Sequence, residues 1–168
     1  MRRLQTGGRV HMSPAYTSIG AHWQAADGAQ MTNDRTGVAM PIEHIGLGVP
    51  DIDAAKAYYD ELMPMVGFQP CFGNGYCPED FQGAQLFLYP AYGAGEYSRH
   101  GVGLHHIAFL VPTRADVHRV HDWARDRGDE IRGEPKELPQ FGPHCYATYF
   151  LDPHGFMIEV VCHQPETS

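Results

Sequence analysis

From residue 42 the chain alternates. In IEHIGLGV (42–49), His44, Gly46 and Gly48 share one parity and Ile45, Leu47 and Val49 the other, the period-2 pattern of a strand with one apolar face. Pro50 stops it, and Asp51 or Asp53 is placed to cap a helix written DIDAAKAYYDELMPMV (51–66), with Pro64 as its boundary signal. GFQPCFG (67–73) and GAQLFLYP (83–90) read as strands, and AYGAGEYSRHGVG (91–103) as a glycine-rich loop. The pattern then restarts. LHHIAFLVP (104–112) predicts a strand, TRADVHRVHDWARDRG (113–128) a helix, DEIRGEP (129–135) a strand, and CYATYFLDPHGFMIEVVCH (145–163) a hairpin.

The order is read as β-α-β-β-β twice, with three of the four strands of the first unit showing in the pattern. His44, Ile45, Val49 and Pro50 recur in register as His106, Ile107, Val111 and Pro112, each time just before a helix, so the chain carries an internal repeat. Such units are expected to form two curved sheets, α+β in class, with the helices outside and the concave faces around a cavity. Parity assigns the faces. The bulky apolar set packs under the helices, and His44 and His106 look into the hollow beside Gly46, Gly48 and Ala108. His105 and Glu43 point the other way.

Residues 1–40 lack a sustained period of either kind and are expected to be a largely irregular extension. The repeat domain then spans 41–163, with module 1 at about 41–92, module 2 at about 103–163, and a short tail over 164–168.

Composition narrows the partners. The 168 residues suit one domain with a real core, and the net charge of −8 gives no footprint for nucleic acid or an anionic membrane. No apolar run is long enough to span a bilayer, and the N-terminus lacks the apolar core of a secretory signal. Cys71, Cys77, Cys145 and Cys162 show neither zinc-knuckle spacing nor a dense disulfide framework. Reduced thiols and a cytoplasmic location are therefore expected.

Glu159 stands amid apolar residues on the last strand, where a carboxylate is costly unless paired or metal-bound. It lies four residues after Gly155, and the same count from Gly83 reaches Phe87. The modules thus offer His44, Phe87, His106 and Glu159 at equivalent places. Two histidines and one carboxylate with open positions suit non-haem Fe(II), and also admit Mn, Zn, Ni or Co. His118 and His121, on the second helix among Arg and Asp, read as a solvated face, and His154 as an exposed turn residue. His100 and His144 flank the cavity-side loops and are candidates for proton transfer.

Residues 41–163 resemble the vicinal oxygen chelate superfamily of glyoxalases, epimerases, fosfomycin-resistance and bleomycin-binding proteins and extradiol dioxygenases. The resemblance rests on HIGLGVPDIDAAKAYYDELMPMVGF, HHIAFLVP and TYFLDPHGFMIEVV. It implies His44, His106 and Glu159 as metal ligands. The glyoxalase and epimerase branches usually add a Glu or Gln ligand where this chain has Phe87. Gln85, on the same face, could serve only if the register slips. Fosfomycin-resistance members usually carry Thr where this chain has Gly46. The extradiol branch shares the His, His, Glu set and a tyrosine ten residues before the Glu, here Tyr149.

These points favour an Fe(II) extradiol-type dioxygenase acting on a small catechol-like, aromatic substrate with dioxygen. Tyr149 would hydrogen-bond a substrate oxygen, and His144 or His100 would carry protons. Gln85, Phe87, Tyr89 and Met157 would line the pocket, and Tyr146 competes with Tyr149 because the hairpin register is open. The alternatives are a glyoxalase- or epimerase-like lyase or isomerase with a redox-inert metal, and an antibiotic-binding or fosfomycin-type resistance protein. Strand edges left at the module ends predict a homodimer.

Overall fold

Module 1 begins where the alternation begins. The computed structural model describes residues 42–80, 83–93 and 97–165; the extension expected over 1–40 and the end of the tail lie outside them. Strand β1 is His44–Val49, and its Leu47 and Val49 are buried while His44, Gly46 and Gly48 are exposed. Helix α1 (Ile52–Met65) starts on Asp51, whose carboxylate accepts from the backbone of Ala54, one of the donors a first turn leaves free. The helix runs one residue beyond Pro64. Strands β2 (Phe68–Pro70), β3 (Gly75–Pro78) and β4 (Gln85–Pro90) complete the module; β3 falls in a stretch where glycine, cysteine and proline hide a strand pattern.

Module 2 repeats the plan with β5 (Ile107–Leu110), α2 (Arg114–Arg127), β6 (Glu130–Glu137), β7 (Tyr146–Leu151) and β8 (Met157–Cys162). Thr113 and Asp116 form a reciprocal capping box, and Gly128 closes α2 with a left-handed φ of 85°. The sheets have equivalent orders, β1-β4-β3-β2 and β5-β8-β7-β6. In each, the first strand runs parallel to the last and the remaining pairs are antiparallel. The α+β fold of two βαβββ modules expected from the repeat is therefore observed.

The core lies on the helix side of both sheets. Leu47, Val49, Leu86 and Leu88 of module 1 and Ile107, Phe109, Phe150, Ile158 and Val160 of module 2 belong to one buried cluster with Tyr58, Tyr59, Leu62, Val117 and Val120. The modules meet through this side. Tyr58 packs on Trp123 with ring centroids 5.2 Å apart, and Phe68 meets Phe109 edge-on at 5.6 Å. The Tyr58 hydroxyl donates to Asp129 and the Tyr59 hydroxyl to Asp152, both at 2.9 Å. Arg127 pairs with Glu61, and Arg119 donates to the carbonyl of Met65. A seam built from the helix sides turns the opposite sheet faces, the ones with His44 and Glu159, away from it.

Three expectations are corrected. Cys71 and Cys77 are disulfide-bonded rather than reduced, because the β2–β3 turn brings their Cα atoms to 5.8 Å. His121 is 3% exposed rather than solvated. It sits on the sheet side of α2, with Nδ1 3.1 Å from the Thr148 hydroxyl and Nε2 3.1 Å from Glu134. Tyr146 faces α2, not the Glu159 side; its hydroxyl is 2.8 Å from His118 Nε2, as the parity of β7 requires once its register with β8 is fixed.

Candidate active site

Ladder register places the two half-sites. In module 1, Gly46 pairs with Phe87 across β1 and β4; in module 2, Ala108 pairs with Glu159 across β5 and β8. Each pair lies two residues beyond its histidine, so Phe87 occupies the position equivalent to Glu159 without any register slip. Gln85 pairs with His44 itself and is buried.

Module 2 assembles the polar part. His106 Nε2 lies 3.1 Å from Glu159 Oε2, and the Tyr149 hydroxyl donates to Glu159 Oε1 at 2.9 Å. Tyr149 and Glu159 are direct partners in the β7–β8 ladder, which is why their side chains meet. Burial, then the hydrogen bond and charge of Glu159, push the Tyr149 pKa well up. The phenol therefore stays protonated and donating. Both carboxylate oxygens are thus aimed, one at Tyr149 and one toward His106. His105 Nδ1 is 2.8 Å from His106 Nδ1; both residues precede β5, so the alternation expected to turn His105 away does not reach them. One of these nitrogens must donate to the other. When it is His106 that donates, its Nε2 presents a lone pair beside Glu159.

An apolar cluster of Leu138, Cys145, Ala147 and Val161, with Tyr149 packed on it, lies on the same face as Glu159. Burial, with the charge of Glu159, raises the Cys145 thiol. Cys145, Ala147 and Tyr149 alternate along the chain, the signal that could have marked this face in advance. Met157 shares it and is buried.

Module 1 presents His44 against aromatics. The His44 ring meets Phe87 edge-on at 5.6 Å, Phe87 lies 4.9 Å from Phe72, and Tyr89 closes the row at 6.4 Å from Phe87. The Glu43 carboxylate hydrogen-bonds His44 Nδ1, so the residue expected to face away turns back to the imidazole. Phe72 was missed because nothing in a single-chain pattern shows that a turn folds back over β4.

The structure brings His106, Glu159 and Tyr149 together and leaves His44 apart. Among the described residues no three His, Cys, Asp or Glu side chains come together as a metal-holding group. The reason is the seam, which joins the modules by their helix sides. Each inner face keeps exposed apolar residues. Leu110 in β5 is 67% exposed, Tyr89 in β4 44%, and Ile42, just before β1, 55%. His144, with a φ of 59°, leads into β7 next to Cys145 and is exposed; His100 is exposed in the loop after β4. Among the described residues neither is hydrogen-bonded or ion-paired to His106, Tyr149 or Glu159.

Fold, repeat and residue pattern agree with the family comparison. The model of the Glyoxalase/Bleomycin resistance protein/Dioxygenase superfamily matches residues 41–160, and the chain belongs to that superfamily. No curated protein matches the chain. Solved structures show the same fold at low identity. A glyoxalase/bleomycin resistance protein/dioxygenase domain from Frankia sp. EAN1pec is 16% identical with a TM-score of 0.59, over 75% of this chain and 93% of that one. A fosfomycin resistance protein from Listeria monocytogenes is 16% identical with a TM-score of 0.54, over 73% and 93%. The oxidase ChaP-H2 is 21% identical with a TM-score of 0.53, over 78% and 98%. Among the described residues no helix is long and apolar enough to cross a membrane.

Removing only the Tyr149 hydroxyl tests the aiming of Glu159. With Glu159 as the metal ligand that the resemblance implies, Tyr149→Phe should leave the fold intact and weaken divalent-metal binding by about tenfold, within the range for loss of a group that orients a ligand. Calorimetric titration with the metal reads it. Unchanged affinity would show that Glu159 needs no such support.

Proposed function

We propose that two copies of this chain form a metal-dependent dioxygenase, in which His44 of one copy joins His106 and Glu159 of the other around one divalent ion. The observation that carries this reading is the division of the donor set. One open face carries His106 and Glu159, with Nε2 and Oε2 3.1 Å apart. The equivalent open face of the other module carries His44, out of reach of that pair within the chain. A two-fold axis lays the first face of one copy on the second face of the other, and closes two identical sites at once. Tyr89, Leu110 and Ile42, exposed in one copy, would be covered by that closure.

The donors suit such an ion: an imidazole nitrogen and a carboxylate oxygen meet on an open strand face, and a tyrosine holds the other carboxylate oxygen. Fe(II) fits best, with Mn, Zn, Ni or Co as alternatives; the ion would supply Lewis acidity toward adjacent substrate oxygens and, where redox-active, electrons for dioxygen. Phe87 in place of a fourth protein donor favours a site that leaves positions for substrate and dioxygen over a lyase or isomerase. The chain's own residues do the rest. Tyr149 fixes Glu159 and offers its hydroxyl at the rim, where a substrate oxygen can share it. Phe87, Tyr89 and Phe72 present ring faces and edges to a planar substrate. His144, next to the Cys145–Tyr149 face, is the better placed proton carrier; His100 is the other. The substrate we assign is a small catechol-like aromatic.

The test is metal analysis of protein purified without added metal, with oxygen uptake in the presence of catechol. Iron near one per chain with catechol-dependent uptake supports the reading. Zinc, nickel or cobalt without uptake replaces it by a lyase or isomerase. Metal-free protein that binds an aromatic drug replaces it by a resistance protein.

A further inference from the structure

The β2–β3 turn touches the site without contributing a polar group to it. Cys71 follows β2 and is exposed; its disulfide partner Cys77 lies in β3 and is wholly buried. The bridge closes a short loop whose backbone is tightly bonded. Cys71 N–H donates to the Gly75 carbonyl at 3.0 Å, Gly75 N–H to the Phe72 carbonyl at 3.1 Å, and Leu88 N–H of β4 to the Asn74 carbonyl at 3.0 Å. Gly73 holds a left-handed φ of 59° inside it.

That loop backs the aromatic wall. Phe72 packs on Phe87 at 4.9 Å, and Phe87 meets the His44 ring at 5.6 Å. Phe87 also fills the space where Gly75 lacks a side chain: a Cβ there would lie 2.5 Å from the ring. The path from bridge to imidazole is therefore short and made of packed groups, the disulfide, Phe72, Phe87 and His44 in turn. A short covalent loop narrows the conformations its residues can take.

We infer that the Cys71–Cys77 bridge is a redox-sensitive tether for the wall of the His44 half-site, with Phe72 as the positioning residue through which it acts. This rests on the reading of that half-site given above. An external dithiol supplies the chemistry. Its thiolate attacks the sulfur of Cys71, the exposed member, and breaks the bond to Cys77, which leaves as a thiolate and takes a proton. The second thiol of the reductant then resolves the mixed disulfide. The chain gains two electrons and two protons, and the reductant becomes its own disulfide. With the bridge open the turn relaxes, Phe72 leaves the back of Phe87, and the ring beside His44 loses its fixed position.

The experiment follows the His44 imidazole by NMR in the full chain, its signal assigned by loss in His44→Ala. Thiols are counted in unfolded protein before and after dithiothreitol. The expected count rises on reduction by the two thiols of one bridge, Cys145 and Cys162 being free throughout. The His44 resonance should move on reduction and move likewise in Cys71→Ser. In Phe72→Ala, which keeps the bridge, it should sit near its reduced position and respond little to dithiothreitol. Catechol affinity should fall by about two- to tenfold on reduction, the range one aromatic contact commands. A full thiol count before reduction overturns the proposal, as does a His44 resonance indifferent to dithiothreitol. A resonance that moves while catechol binds neither form upholds the tether and removes catechol as the substrate class.

Discussion

Mixing two inactive variants should restore a site. His44→Ala and Glu159→Gln each remove one ligand from every site of a homodimer. Even changes to groups that merely orient a ligand cost about 10–100-fold in metal affinity, so each variant alone should lose at least that much. If the site is shared, a heterodimer of the two has one site with both changes and one with neither. Random re-association of equal amounts then returns about a quarter of the native sites. His106→Ala mixed with Glu159→Gln should return none, because both changes fall on the same half-site. Metal per chain after mixing, unfolding and refolding reads the result, with dimer formation checked by light scattering. Recovery in the second mixture, or failure of the first although dimers form, would sink the shared site. A monomer that binds one metal per chain would sink it as well.

The fold was legible because the hydrophobic pattern was written twice. Alternation in 42–49 and 107–110 set the strands, Asp51 or Asp53 marked the first helix start, and the repeat set the order of elements. The equivalence of Phe87 and Glu159 also came from counting, and the ladders place both as counted. What escaped was the product of chain return rather than of local pattern. β3 carries glycine, cysteine and proline, and is a strand because β2 and β4 pair with it on either side. His121 looked solvated among charged neighbours, yet the helix turns that one position toward Thr148. The bridge depended on a turn bringing Cys71 back to Cys77.

The candidate residues were legible as positions on strand faces, and their assembly was not. Parity put His44, His106 and Glu159 on inner faces, but parity says nothing about which inner face meets which. That is decided by the seam, where Tyr58, Tyr59, Trp123 and Phe109 join the modules by their helix sides. These residues are apolar or amphipathic at helical and strand spacing and would suit either arrangement. Tyr146 and Tyr149 were separated only by the β7–β8 register, which a sequence cannot count across a turn of uncertain length.

The seam should be most sensitive at Asp152. This carboxylate is 4% exposed, and three donors converge on it. The backbone N–H groups of His154 and Phe156 donate to Oδ1 at 2.9 and 2.8 Å, and the Tyr59 hydroxyl of module 1 donates to Oδ2 at 2.9 Å. Asp152→Ala leaves all three without an acceptor, at an expected cost of about 3–5 kcal/mol. Asp152→Asn keeps an acceptor for the two backbone groups and offers its amide to the Tyr59 oxygen, so its cost should stay within about 1 kcal/mol at neutral pH. The two variants also differ from the native chain in pH dependence. Burial outweighs the hydrogen bonds and lifts the Asp152 carboxyl above its ordinary value of 3.8. The folded chain therefore holds that proton more tightly than the unfolded one. The stability this group contributes is complete below 3.8 and is lost as pH rises through the raised folded value. Asparagine has no proton to lose, so Asp152→Asn should gain on the native chain as pH climbs through that window. Urea midpoints at mildly acidic and neutral pH, taken for all three proteins, read both effects. Equal damage from Asn and Ala would mean the charge itself holds the seam, and an Ala variant as stable as the native chain would mean the seam does not depend on this carboxylate at all.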